Sequence, residues 1–167
     1  MTGKWFLLTS WLFFWCVTYF RFKKVIVKKH ICVIDGQGGG IGATVIKYLK
    51  AAYGEDIELN ALGTNAIAAS QMLRAGANRC ASGENAICCT IARADCIIGP
   101  VSITWANAML GEVTPKIAEA VTSSPACKLL LPLHQENTDI IGVVTEPLPH
   151  MVQLLVDKRL KEVLDHV

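Results

Sequence analysis

His30–Ala43, HICVIDGQGGGIGA, is the stretch on which the reading of this 167-residue chain turns. A short apolar run ends at Asp35 and opens into five glycines within the seven residues Gly36–Gly42. A helical pattern follows at once. Buried parallel strands read as near-continuous apolar runs, and glycine supplies the tight turn into a helix N-terminus. The stretch therefore predicts a strand over Lys29–Asp35, a phosphate-sized turn, and a helix over Gly40–Tyr53. Ile41, Val45, Ile46, Leu49 and Ala52 form the helix's apolar stripe, and Gly54 ends it.

Outward from there, strand and helix patterns alternate. Asp56–Gly63 reads as a second strand, and Thr64 as the cap of a helix ending at Ala75–Gly76. Asn78–Asn85 reads as an irregular polar loop leading into a short helix through Ile91. Asp95–Gly99 is the third predicted strand. Thr114-Pro115 is an N-cap followed by proline at the first helical position, opening a helix to about Val121. Lys128–Leu133 and Ile140–Thr145 are the fourth and fifth predicted strands. Leu148–His166 is a long amphipathic helix with Leu154, Leu155, Leu160, Val163 and Leu164 inward. This alternation predicts a three-layer α/β/α domain over residues 30–167. Its mostly parallel sheet of about five strands is Rossmann-like or flavodoxin-like, and the pattern does not separate the two strand orders.

The first 29 residues differ from this body. All five Phe and three of the four Trp lie before residue 23, and residues 1–29 carry six basic residues and no acidic one. Beyond them 10 basic residues face 14 acidic ones, so the formal +2 belongs to the tail. An acidic body argues against nucleic acid as a partner. Trp5–Phe20 is a marginal membrane span: its sixteen residues as a helix give roughly 24 Å against a hydrocarbon core of about 30 Å, so a span over residues 5–22 needs Phe22 and snorkelling flanks. Two expectations stand side by side. One is an anchor holding the domain on the cytoplasmic face. The other is a start assigned too early, with Val25 or Val27 as the true first codon. The seven cysteines show neither CxxC nor metal spacing and sit mostly in apolar runs, so reduced, buried thiols in a cytoplasmic domain are expected, with no metal site.

The glycine loop fits two dinucleotide spacings, GxxxGxG through Gly36, Gly40 and Gly42, and GxGxxA through Gly38, Gly40 and Ala43. Backbone N–H groups of Gly36, Gln37, Gly38, Gly39, Gly40, Ile41 and Gly42 are the candidate anion donors, with the helix dipole behind them. An NAD site expects an acid near the end of the second strand for the ribose hydroxyls. That place reads Gly63-Thr64-Asn65, with no arginine for a 2′-phosphate. Asp35 adds a negative charge at the loop. The Walker spacing and lysine are absent, which argues against ATP hydrolysis. Thr64, Asn65, Asn107 and Asn137 are predicted at the same sheet edge and are candidate ligand-orienting groups. Asp35, Glu84 and His134 are the candidate acid–base groups. Ser102, Arg79, Ser82 and Asn85 are expected nearby.

With ALGTNAIA (Ala61–Ala68), AGANR (Ala75–Arg79), SGENAI (Ser82–Ile87) and MLGEVTPKIAEA (Met109–Ala120), the loop resembles a family of small bacterial proteins that open with IDGQGGGIG. The family is catalogued only as a domain of unknown function. The resemblance covers His30–Val144 and implies a cytoplasmic domain starting near Lys28; no catalytic residue carries over from it. The expected function is binding of a nucleotide or other phosphorylated small molecule. The alternatives are an NAD(P)-dependent oxidoreductase or small transferase, and a non-catalytic interaction module; a homo-oligomer is a further expectation.

Overall fold

A computed structural model of the chain describes residues 28–133, 138–144 and 146–166. The tail at 1–27, with its candidate membrane segment at 5–22, lies outside these residues. Among them no helix is long and apolar enough to cross a membrane.

The elements are β1 (Lys29–Asp35), α1 (Gly40–Tyr53), β2 (Ile57–Gly63), α2 (Ala66–Arg74), β3 (Arg79–Ser82), α3 (Glu84–Ile91), β4 (Cys96–Pro100), α4 (Pro115–Ser123) and β5 (Cys127–Leu131). A short 3-10 turn, Val101–Thr104, follows β4. The chain ends in α5 (Leu148–Leu154), a π-helical stretch Leu155–Leu160, and α6 (Lys161–His166). All strand pairings are parallel and the order is β3-β2-β1-β4-β5. This is the Rossmann order, and it settles the choice that periodicity left open.

One predicted strand is absent, and one strand forms where none was predicted. The third strand in the chain is Arg79–Ser82, inside the segment read as a polar loop, and it pairs with Asn60–Gly63. It is four residues long at the sheet edge, with mostly exposed side chains, so it carries no apolar signature. Ile140–Val144 is not a strand; Ile141 and Val144 there are exposed. The count of five survives because one error offsets the other.

Burial follows the two faces of the sheet. Val45, Ile46 and Leu49 of α1, Ala68 and Met72 of α2, and Val152, Leu155, Val156 and Leu160 of the C-terminal helix cover Ile31, Val33, Leu59 and Ile98. Ile87 and Ile91 of α3 and Ile117 and Val121 of α4 cover Cys32, Ile34, Leu62 and Ile97. The π-helical stretch turns the C-terminal stripe: Leu155, Val156 and Leu160 are buried, while Leu154 points outward against the sequence expectation. Among the described residues the cysteines are free, but only Cys32 and Cys96 are fully buried; Cys80 and Cys89 are exposed, contrary to the expectation of core thiols. Burial pushes the thiols of both Cys32 and Cys96 up to about 12, so they stay protonated.

The Tyr53 hydroxyl ends α1 by donating to the Val156 carbonyl at 2.9 Å, joining the first helix to the π-helical stretch. Tyr53→Phe removes one hydrogen bond and little packing. It is expected to lower the unfolding free energy by about 1 kcal/mol in urea titration, with the m-value unchanged.

Candidate functional site

Parallel register puts Asp35, Gly63 and Ser82 in one row at the carboxyl edge of β1, β2 and β3. After β1 the chain turns onto one face of the sheet as α1. After β4 it turns onto the other face and reaches α4. These departures on opposite faces open the crevice in which ligands of open α/β sheets bind.

The glycine loop is closed from inside by Asp35. Its Oδ1 accepts the Gly36 N–H at 2.8 Å and its Oδ2 the Gly42 N–H at 2.7 Å. The carboxylate is 2 % exposed, so it faces the loop's interior and not its mouth. Burial pushes the Asp35 carboxyl up; the N–H groups of Gly42, Gly36 and Ile41 pull it back, and Glu112 adds to the rise. The negative charge that seemed to oppose an anion is thus partly offset by the backbone.

Gly36 is needed because a Cβ there would lie 2.6 Å from the Met109 sulfur and 2.6 Å from Thr64 Oγ1. Gly39, at φ 70°, is the N-cap of α1, and its Cβ would meet the Ala68 backbone at 2.7 Å. Gly38 and Gly40 differ. A Cβ on either meets nothing within 4 Å, and neither N–H has an acceptor among the described residues. Both residues are exposed, and their N–H groups stand without such acceptors at the positive end of α1, whose first turn carries no acid.

Over the loop lies the segment between β4 and α4, and it brings a residue that the sequence reading missed. One oxygen of Glu112, Oε2, accepts from three groups. They are the Gln37 N–H at 2.8 Å, the Asn65 side-chain amide at 2.9 Å, and the Thr64 hydroxyl. Glu112 therefore sits at the end of β2, the place where the expected acid was absent from the local sequence. Its partners are 47 to 75 residues away in the chain, so spacing alone gives no sign of them. Partial burial pushes the Glu112 carboxyl up, but the bonds from Thr64, Gln37 and Asn65 outweigh it and hold the carboxyl below the usual range.

The segment is tightly wound. Asn107 N–H donates to the Val113 carbonyl at 2.7 Å and Val113 N–H returns to Ala108 at 3.2 Å. Val113 is fully buried and pins the segment to the core. Asn107, Met109 and Leu110 all have positive φ, as does Gln37 in the facing loop. For Met and Leu this costs roughly 1–2 kcal/mol each. Such residues gather at ligand clamps and active sites.

The remaining candidates fall out as follows. Asn65, not Thr64, caps α2: its Oδ1 accepts the Ala68 N–H at 2.9 Å while its amide also donates to the Gln37 carbonyl at 2.9 Å. Thr64 is free of capping because its hydroxyl serves Glu112. Ile41 is half-buried in the first turn of α1. Asn107 is an exposed turn residue held through its backbone. Glu84 accepts from Thr114 at 2.7 Å and pairs with Lys116 at 3.3 Å, which ties α3 to α4. Those bonds, Thr114 first, lower its carboxyl below the ordinary range. Arg79 begins β3 at the opposite, amino edge of the sheet and pairs with Glu58 at 3.4 Å, so it does not reach the glycine loop. Ser102, just past β4, is fully buried, and its hydroxyl has no partner among the described residues. His134 and Asn137 lie outside the described residues. Among the described residues no cluster of His, Cys, Asp or Glu is arranged to hold a metal.

Fold and loop together define a Rossmann-type α/β domain whose first crossover is glycine-rich and is met by Glu112 from the segment between β4 and α4. Residues 30–164 match the family described as Domain of unknown function (DUF3842), and the chain belongs to that family. No curated protein matches it.

The carboxyls of Asp35 and Glu112 shift in opposite directions, and this is measurable. Carbon-13 carboxyl NMR is expected to show Asp35 titrating above its ordinary value of about 3.9 and Glu112 below its ordinary value of about 4.3. Asp35's contribution to stability is fully present below about pH 3.9 and is lost as pH rises through its folded value. Glu112's contribution is present above about pH 4.3 and is lost as pH falls through its folded value. In Glu112→Gln the Asp35 midpoint moves down, because the charge that raises it is gone.

Proposed function

We propose that this domain binds a nucleotide or other phosphorylated small molecule, with a phosphate on the outer N–H groups of Gly38 and Gly40. The observation that carries this reading is those two donors, without acceptors among the described residues, at the N-terminus of α1 in the crevice of a Rossmann-ordered sheet. Backbone N–H groups with an aligned dipole bind anions there without lysine or arginine. Asp35 supports the reading: it satisfies the inner donors Gly36 and Gly42, shapes the loop, and leaves the outer ones to a ligand. Thr64 and Asn65 orient the rest of the molecule at the end of β2.

The chemistry at Gly40 gives a clean test. A side chain there meets nothing within 4 Å, and an acid in the first turn of a helix is stabilising by about 0.3–1 kcal/mol. Gly40→Asp therefore folds, yet it places a carboxylate where the phosphate would sit. In calorimetric titrations against AMP, ADP, ATP and NAD, wild type is expected to bind at least one, and Gly40→Asp to lose that binding while keeping its melting temperature. Native mass spectra of protein as purified check for a mass that leaves on denaturation. Unimpaired binding by Gly40→Asp would move the phosphate away from the loop.

A further inference from the structure

Glu112 is a carboxylate placed beside the candidate phosphate position without occupying it, and the asymmetry of its two oxygens is informative. All three of its protein donors go to Oε2; Oε1 has no hydrogen-bond partner among the described residues. A carboxylate oxygen accepts more than one hydrogen bond, so an idle one on a partly exposed side chain is an acceptor on offer. If the residue served only to plug the anion seat, it would reach the Gly38 and Gly40 N–H groups, which it does not. To pin the loop it needs only the one oxygen, Oε2, that the three donors already share.

We infer that Glu112 is the group that receives the sugar hydroxyls of the ligand, and that the ligand is accordingly a ribonucleotide with a free 2′,3′-diol. The inference rests on the phosphate-binding reading of the glycine loop above and names the chemistry of its neighbour. Dinucleotide sites on this fold use an acid at the end of the second strand for those hydroxyls. Here Thr64 and Asn65 occupy that strand end and hold a carboxylate delivered from the β4 crossover instead. The substitution of source keeps the chemistry: an ionised acceptor, fixed by three donors on one oxygen and open on the other. It also sets selectivity. A 2′-phosphate would place two negative charges against Glu112, and no arginine or lysine pairs with that carboxylate among the described residues.

The test measures ratios and not affinities alone. Wild type, Glu112→Gln and Glu112→Ala are titrated with ADP, 2′,3′-dideoxy-ADP, NAD and NADP, and circular dichroism melts check that each variant folds. Wild type is expected to prefer ADP over the dideoxy compound, and NAD over NADP, by about tenfold or more, as loss of a hydrogen bond to a charged group implies. Glu112→Ala brings the ADP ratio close to one. Glu112→Gln, which keeps the shape and removes the charge, narrows the NAD-to-NADP gap. Wild-type binding with ratios unchanged in the variants would overturn the role of Glu112 and leave the phosphate site standing. Tighter binding of every probe by Glu112→Ala, again with unchanged ratios, would overturn it in favour of a plug. Wild type that binds none of the four would overturn the phosphate reading and this inference with it.

Discussion

A strand that ends in an acid and a helix that begins three glycines later are held together by one carboxylate. Asp35 accepts the N–H of Gly36 at the start of the turn and of Gly42 in the first turn of α1. Without an acceptor there, buried backbone donors would face other buried groups, which costs about 1–3 kcal/mol for each left unpaired. With it, the loop wraps around its own counter-charge. The N–H groups of Gly38 and Gly40, both exposed residues, are left without acceptors among the described residues. Everything at the carboxyl edge is built on that closed turn: Asn65 reaches back to the Gln37 carbonyl, and Glu112 reaches across to the Gln37 N–H.

The close fit of this region explains which glycines are interchangeable. At Gly36, Gly39 and Gly42 a side chain would strike Thr64 and Met109, the α2 backbone, or Met72 and Asp35. At Gly38 and Gly40 it would strike nothing. The first group is there because two helices and a loop converge on β1. The second is not explained by packing, and since glycine in place of another residue costs roughly 0.5–1 kcal/mol in a helix, its use at the first position of α1 calls for another reason. Close approach of a ligand to the backbone is such a reason.

How much of this was legible follows from which interactions are local. β1, the glycine turn, α1, β2, β4 and the Thr114 cap each announce themselves over ten residues or fewer, through a strand's apolar run, a stop glycine or a cap. Thr114 indeed accepts the Ile117 N–H at 3.2 Å. β3 was not legible: an edge strand of four mostly exposed residues has no face to bury, and RCAS reads as loop. Ile140–Val144 misled in the opposite way, since an apolar run of that length is a strand only if a sheet edge receives it. The candidate site divides along the same line. Gly36–Gly42, Thr64 and Asn65 lie at the carboxyl ends of β1 and β2, where the sequence pattern puts them, because a strand pattern locates its own end. Glu112 was missed because MLGEVT reads as a loop before a capped helix, and only the β4 crossover brings it to β2. Arg79 was misplaced for a related reason: once 79–82 is a strand, its first residue must lie at the far edge.

The electrostatics of the crevice then follow from the division of donors. α1 has a limited supply of free N–H groups, and the protein assigns them by depth. Asp35 takes the inner ones, so part of the helix's positive end is already neutralised before any ligand arrives. A fully charged phosphate held by Gly38 and Gly40 alone would gain less from the dipole than in a loop without that acid. A ligand that relied on charge would therefore bind weakly here. A ligand that also brought hydroxyl donors would, on the proposed reading, gain from Glu112, whose charge is maintained by bonds from Thr64, Gln37 and Asn65 to its other oxygen. Two carboxylates near one anion site oppose each other only if both face it. With Asp35 turned inward and Glu112 set to the side, each takes the donors within its reach and leaves the mouth of the loop to the backbone.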